Sequence, residues 1–263
     1  MGTVVHVEVI DASRSSDRDG SLAMRWRWAG SRGVAESRFA RVEIEEVSRR
    51  EVRAVASTGP GPEGRAAVLS LLATALAERL GGLVLHATAV VVAGRAILFV
   101  GPSGAGKTTA ANHTSGATWL CRDRALVVPD DVSGWTAWAI AGGDDVRLPR
   151  ASDVCAPVGG ILRVLRGKGS SRIVPLSRAT SLLRLRESIQ SGGTDTHDEE
   201  RALESALRLL DDVTFAAIEV ALGTDLGEIV AGVASSARKA QSSVGAASRG
   251  GASSAVSTGA SSR

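Results

Sequence analysis

The sequence has no tyrosine, two cysteines and three lysines among its 263 residues. Two cysteines cannot build a disulfide framework. Neither Cys121 nor Cys155 belongs to a Cys-x-x-Cys or Cys/His cluster of the kind that holds a structural metal. A long uninterrupted apolar run is also missing. The most apolar stretch, 82–100, is broken by His86 and Arg95, and Ala93-Gly94-Arg95 reads as a turn, so two strands are expected there and no membrane span. The first residues lack a basic segment followed by an apolar one, so no secretory signal is expected and a reducing cytoplasm is the predicted location. From 235 to 263 there is no acidic residue, while Arg238, Lys239, Arg249 and Arg263 lie there; without those four charges the net charge of +3 becomes −1. The pI of about 9.4 therefore reflects the tail and no basic folded face, which argues against a nucleic-acid partner.

What is present divides the chain into three parts. Residues 1–58 are read as a small β-rich lobe with strands over 4–10, 22–28 and 38–47, in which Trp26 and Trp28 share one strand face and are expected to pack against the rest of the protein. The Pro/Gly-rich stretch at 57–64 marks a boundary, after which 63–80 carries a broad helical apolar face closed by Gly81. The second part, 59–234, alternates strand patterns (83–92, 96–100, 117–120, 125–128, 159–165, 213–221) with helical ones (175–187, 198–210, 226–234), which predicts an α/β fold. The third part, 235–263, is Ser/Ala/Gly-rich, with too little to bury to offset the entropy of ordering, and is expected to be disordered.

The chemistry concentrates in "GPSGAGKTT", 101–109. Gly101, Gly106, Lys107 and Thr108 fit the phosphate-loop spacing G-x-x-x-x-G-K-[ST], with an aliphatic strand before it and a short helix after it, ended by Gly116. A loop that wraps a phosphate must turn its backbone N–H groups inward, and glycine permits the dihedrals this needs. Nucleotide-binding candidates are therefore Gly101, Ser103, Gly104, Ala105, Gly106, Lys107, Thr108 and Thr109. Lys107 would supply a positive charge for the outer phosphates, the Thr108 hydroxyl a ligand for Mg²⁺, and the following helix its N-terminal dipole. A lysine here is unlike a composition accident in a chain that otherwise uses arginine.

The stretch "LHATAVVVAGRAILFVGPSGAGKTT" places His86 on the strand before the loop-bearing strand. It resembles the C-terminal catalytic domain of HPr kinase/phosphorylase and the wider group of HPr-kinase-related proteins. The resemblance extends weakly through "LCRDRALVV", "CAPVGGILRVLRG" and "PLSRATSLLRL", over about 66–235. It implies a P-loop nucleotide-binding core of the HPr kinase / phosphoenolpyruvate carboxykinase type, ATP and Mg²⁺ as cofactors, phosphotransfer to a hydroxyl on a small protein or peptide, and a homo-oligomer. By position it implies catalytic roles for His86, Lys107 and Asp123, with Thr108 and Asp123 at the metal. Residues 1–58 do not resemble the N-terminal domain of HPr kinases.

Departures from that pattern leave two further functions open. The family's first Asp, the base that activates the hydroxyl, falls on Arg122, and only Asp123-Arg124 match the rest; Thr109 stands where an acid follows the loop. Arginine keeps its proton at neutral pH. Asp123 can take over as base only by a one-residue shift, which reverses side-chain direction along a strand unless a bulge corrects it. Otherwise the protein is a nucleotide-binding sensor or scaffold, or a plain P-loop ATPase. Among the remaining candidates, Asp130-Asp131 and Asp144-Asp145 read as turns, the acidic start of 194–200 as a helix N-terminus, His113 as a surface residue and Cys121 as a structural thiol. His6 and His197 have no partners suggested by spacing.

Overall fold

The computed structural model describes residues 4–11, 25–37, 39–48, 51–58, 62–140, 155–167, 169–190, 196–221 and 223–236. Of the tail expected to be disordered from 235, Ser235 and Ser236 are helical and the rest lies outside the described residues, as do the Asp144-Asp145 turn and 22–24 of the expected second strand.

The first five strands are β1 (Val4–Asp11), β2 (Arg25–Ala29), β3 (Arg32–Glu36), β4 (Ala40–Ser48) and β5 (Glu51–Thr58). They form one sheet in the order β1-β5-β4-β3-β2, parallel between β1 and β5 and antiparallel elsewhere. Alternation decides its inner face. Val42 and Ile44 are buried while Glu43 and Glu45 between them are exposed. That face packs on α1 (Pro62–Arg79) through Val68, Leu71, Leu72, Ala75 and Leu76. Trp26 belongs to this core and Trp28 packs against it, so the tryptophans serve packing as expected. Trp28 lies flat over Gly33, where an added Cβ would come within 2.8 Å of the ring, and the Arg79 guanidinium stacks 4.4 Å from the ring centroid. Strand β3 escapes a sequence reading because it is five residues long and offers only Val34 and Ala35 as apolar signal.

A second, larger mixed sheet has eight strands: β6 (Leu83–Val92), β7 (Arg95–Val100), β8 (Thr118–Cys121), β9 (Arg124–Asp130), β10 (Gly134–Ala139), β11 (Cys155–Arg166), β12 (Arg172–Pro175) and β13 (Phe215–Val220). Their order is β10-β9-β6-β7-β11-β13-β12, with β8 on β6 and an additional β10–β11 pairing. The long strands β6 and β11 each use different halves for different neighbours. The pairings β6–β7–β11–β10–β9–β6 therefore close into a ring. Both faces of the central strands are covered. Leu98 and Val100 of β7 face the core shared with α3 (Arg178–Arg186) and α4 (Thr196–Asp212), whereas Ile97 and Phe99 face α2 (Lys107–Asn112) and α5, a helix over 227–236. Burial on both sides explains why these strands read as continuous aliphatic runs.

Further elements differ from the sequence expectation, among them β5, which has no counterpart among the expected strands. The helix expected from Pro175 begins at Arg178, because Ser177 caps it by accepting the Thr180 N–H at 3.2 Å, and Arg172–Pro175 pairs with β13 instead. Strand β10 has no counterpart among the expected strands, yet Trp135 is buried and its Nε1–H donates to Asp212 at 2.8 Å.

The β6–β7 hairpin turns at Ala93 and Gly94, with φ of 50° and 76°. Both positive values mark a type I′ turn, and Ala93 is the one non-glycine at positive φ among the described residues. Replacing Ala93 by Asn, which tolerates this region, should raise stability by up to about 1 kcal/mol and the melting temperature by about 2 °C. Gly94→Ala should cost about as much, although no atom lies within 4 Å of the added Cβ. Equal melting temperatures for both variants would contradict the strained-turn assignment.

Candidate functional site

The strand directions bring three chain segments to one end of the large sheet. Strands β7 and β11 run parallel, with Val100 opposite Arg163, so both end there. Strand β6 runs antiparallel to β7, with Ala87 opposite Val100, so it begins there. His86 thus lies beside the point where β7 gives way to the glycine loop. Its face of β6 also carries Thr88, Val90 and Val92, the face covered by α2.

The loop runs from buried Val100 to α2 through Gly101, Gly104 and Gly106 at φ of 145°, 75° and 95°. Gly101 is also confined sterically, since a Cβ there would sit 3.1 Å from that of Ala105. Gly104 has open space around it, so its requirement is conformational. Between Gly101 and Gly106 the Ala105 amide donates to the Pro102 carbonyl at 3.1 Å; among the described residues no other amide of this stretch has a main-chain acceptor. Ser103, Thr108 and Thr109 are exposed along its outer side.

Lys107 is buried at the start of α2, and its Nζ has three neighbours: the Gly101 carbonyl at 2.9 Å, the Pro102 carbonyl at 3.2 Å and His86 Nε2 at 3.0 Å. An ammonium has three hydrogens, so three acceptors satisfy it. His86 must then accept at Nε2 and carry its proton on Nδ1. That nitrogen lies 3.1 Å from Asp123 Oδ1, while Asp123 Oδ2 lies 3.2 Å from Arg124 Nε. A line of close contacts Lys107–His86–Asp123–Arg124 results, in which Lys107 to His86 is a hydrogen bond and the two Asp123 contacts are ion-pair approaches, with Arg124 Nε left without a hydrogen-bond partner. Burial, and next the Lys107 charge, hold the His86 pKa below 6.5 against the opposing pull of Asp123, which keeps the ring neutral. Burial also lowers the Lys107 pKa, opposed by Asp123.

The backbone holds this chain in place. The His86 N–H donates to Ser188 O at 2.7 Å, the Ala87 N–H to Asp123 O at 3.0 Å, and the Gln190 N–H to Val84 O at 2.8 Å. Strand β8 also carries a one-residue irregularity just before this segment. In the β6–β8 pairing Val90 faces Trp119 and Ala89 faces Cys121, so Leu120 is an extra residue, a bulge. After it, the exposed Arg122 lies with its guanidinium 5.2 Å from the Trp119 ring centroid, while the Asp123 carboxylate turns to His86.

The glycine loop, His86, Lys107 and Asp123 are therefore brought together, with Thr108 next to Lys107. Several neighbours at this end of the sheet are not singled out by the sequence. Arg166 Nη2 approaches Gly104 O at 3.4 Å, and Arg163 and Arg184 meet Glu187 at 2.7 and 2.5 Å. The one local signal for them is the "RVLR" spacing at the end of a buried strand. Other candidates lie elsewhere. Asp130 accepts the Val132 and Ser133 amides at 2.7 and 2.9 Å, a turn as expected. His113, expected at the surface, is half-buried with Nδ1 3.2 Å from Thr224 O. Cys121 is buried with Sγ 3.6 Å from Ala87 O. The side chains of His6 and His197 lie outside the described residues. Among the described residues there is no group of three His, Cys, Asp or Glu able to hold a metal by itself, and no helix long and apolar enough to cross a membrane. A cavity of about 400 Å³, lined by Arg186, Ile189, Glu199, Glu200 and Leu203, lies between α3 and α4, away from the glycine loop.

A family model described as SynChlorMet cassette protein ScmC matches residues 66–218, more than half of the chain. The chain belongs to the ScmC family. The match begins inside α1 and ends inside β13, so it takes in β6, the glycine loop, the Asp123 bend and β11, and leaves out the five-stranded sheet. No curated protein matches the sequence.

The Lys107–His86 hydrogen bond predicts one tautomer. In long-range ¹⁵N–¹H spectra at pH 7.5, His86 should show a protonated Nδ1 and an unprotonated Nε2. Lys107→Met, which removes the Nε2 donor, should give a mixture. A protonated Nε2 in the unmodified protein would contradict the Lys107 contact.

Proposed function

We propose that the protein binds ATP with Mg²⁺ at the glycine loop and transfers the γ-phosphoryl group to a hydroxyl on a protein or peptide, in the manner of the HPr-kinase-like proteins that its sequence resembles. The observation that carries this reading is the chain from Lys107 through His86 to Asp123 beside the glycine loop. It joins a buried cation, fit for phosphate, to a carboxylate, fit to take a proton. Support for a P-loop core of the HPr kinase / phosphoenolpyruvate carboxykinase type comes from the order strand, glycine loop with three positive-φ glycines, short helix, and from the histidine on the adjacent antiparallel strand.

Several residues have assignable work. Lys107, held by two loop carbonyls, would place its charge between the β- and γ-phosphates, and the unpaired loop amides would bind phosphate oxygens. The third hydrogen of Lys107 rests on His86 Nε2 and is the one that a phosphate oxygen would take. Asp123 has two contacts, leaving lone pairs on a half-exposed carboxylate to accept the hydroxyl proton. The hydroxyl oxygen would bond to the γ-phosphorus as the bond to the β,γ-bridging oxygen breaks; ADP leaves, and the proton passes from Asp123 to water. Thr108 and Asp123 offer oxygen donors of the kind Mg²⁺ takes, and phosphates and water would supply its remaining ligands. When bound, Mg²⁺ would neutralise phosphate charge and align the phosphates.

Arg122 favours a second reading, a nucleotide-binding sensor without transfer, if Asp123 serves only to orient His86. Three variants separate them. Lys107→Ala should weaken ATP binding about 100-fold or more, and unchanged binding would remove the phosphate-loop assignment. Asp123→Asn should retain ATP binding and lose phosphotransfer about 100-fold or more, as loss of a general base predicts. ATP binding without turnover in the unmodified protein, with turnover gained in Arg122→Asp, would establish the sensor.

A further inference from the structure

The sheet end that carries the glycine loop holds more positive charge than the nucleotide reading uses. Besides Lys107, the described residues there include Arg122, Arg124, Arg163, Arg166 and Arg184, against the carboxylates Asp123 and Glu187. Arg124 accompanies Asp123 at 3.2 Å. Glu187 meets two arginines at once, Arg163 at 2.7 Å and Arg184 at 2.5 Å, so one positive charge there is left over. Arg166 is exposed and reaches a neutral partner, the Gly104 carbonyl.

The placement of these charges is as informative as their number. Along β11, side chains alternate between faces. Leu162 and Val164 enter the core beneath α2, and Arg166 continues that face at the loop. Arg163 points the other way, to Glu187 at the end of α3. Ser188, next to Glu187, accepts the His86 N–H, so this second arginine pair borders the Lys107–His86–Asp123 chain as well. Positive groups therefore lie on both faces of the sheet where it ends, with the proposed transfer site between them. An ATP molecule seated on the loop would meet one of these faces. An extended chain crossing the sheet end would meet both.

From this we infer that the acceptor is an acidic peptide segment, with Asp or Glu on both sides of the hydroxyl residue, bound across the sheet end by Arg166 on the loop side and by Arg184 on the α3 side. The largely buried Arg163 shares the Glu187 charge, which leaves that side positive. This rests on the phosphotransfer reading for the role of the site, but the charge preference can be measured without it.

The test uses the full chain and two fluorescent 12-residue peptides with a central Ser, one flanked by Asp and Glu and one by Lys, followed by anisotropy at low and moderate salt, with and without Mg²⁺ and a non-hydrolysable ATP analogue. The acidic peptide should bind at least tenfold more tightly, and moderate salt should weaken it. Combined Arg166→Ala and Arg184→Ala should remove most of that preference, whereas Arg32→Ala on the outer sheet should leave it in place. Equal affinity for the two peptides, binding to neither, preference for the basic one, or a preference that survives the double variant would each overturn the inference. ATP-analogue binding is read in the same experiment. Its absence with the acidic preference intact would sink the phosphotransfer reading alone, and its presence without the preference would sink the acidic acceptor alone.

Discussion

Lys107 is the residue on which the site depends, because its ammonium is satisfied by three acceptors from two different segments of the chain. Two of them, Gly101 O and Pro102 O, close the glycine loop upon itself. The third, His86 Nε2, ties the loop to the neighbouring strand and sets the imidazole tautomer, which in turn fixes the carboxylate it donates to. A buried ammonium with a missing acceptor would bear a desolvation penalty on the order of 1–3 kcal/mol. The loop, the strand and the Asp123 bend are thus held to one geometry by a single cation. Burial lowers the pKa of both Lys107 and His86, yet the two respond differently: the histidine becomes a neutral acceptor at neutral pH, while the lysine starts from so high a value that it stays charged.

The large sheet supplies the frame for this. A glycine loop needs rigid ends, and Val100 before it and Ala110 and Ala111 after it are buried. The strand on each side of β7 matters too. Parallel β11 brings its arginines to the loop, and antiparallel β6 brings its histidine. Had β6 run the other way, His86 would start from the far end of the sheet. Closure of β6, β7, β11, β10 and β9 into a ring fixes these strands against one another. The five-stranded sheet stands apart from this frame. It takes its core from α1, and α1 also contacts β6 and β9, so that one helix serves both sheets. The family match, 66–218, covers most of this frame and not the outer sheet.

The legible parts of the sequence are those in which one local rule decides the structure. Strands β6 and β7 are buried on both faces, and their continuous aliphatic runs announce it. The glycine loop is legible because its dihedrals demand glycine at Gly101, Gly104 and Gly106 whatever surrounds it. Strands β3, β5, β10 and β12 are not legible: β3, β10 and β12 are each four to six residues long, the apolar residues of β5 are small and interrupted by Arg53, and β12 pairs only with β13, far along the chain. Trp135 illustrates this: its burial depends on Asp212, 77 positions away, accepting its indole proton. The arginines at the end of β11 have the same character. Arg163 and Glu187 are 24 positions apart, and nothing local predicts that they meet.

Arg122 and Asp123 show how a single inserted residue redirects the side chains that follow it. The HPr-kinase-like pattern that the sequence resembles has an acid where this chain has Arg122, and a strand that kept its register would point Arg122 and Asp123 to opposite faces. Strand β8 does not keep it. Leu120 is accommodated without a partner on β6, and the side chains beyond it switch faces. By Asp123 the chain has left the strand for a bend, where alternation no longer dictates direction, and the Ala87 N–H to Asp123 O bond fixes the backbone while the side chain turns to His86. Arg122 is left on the outside against Trp119.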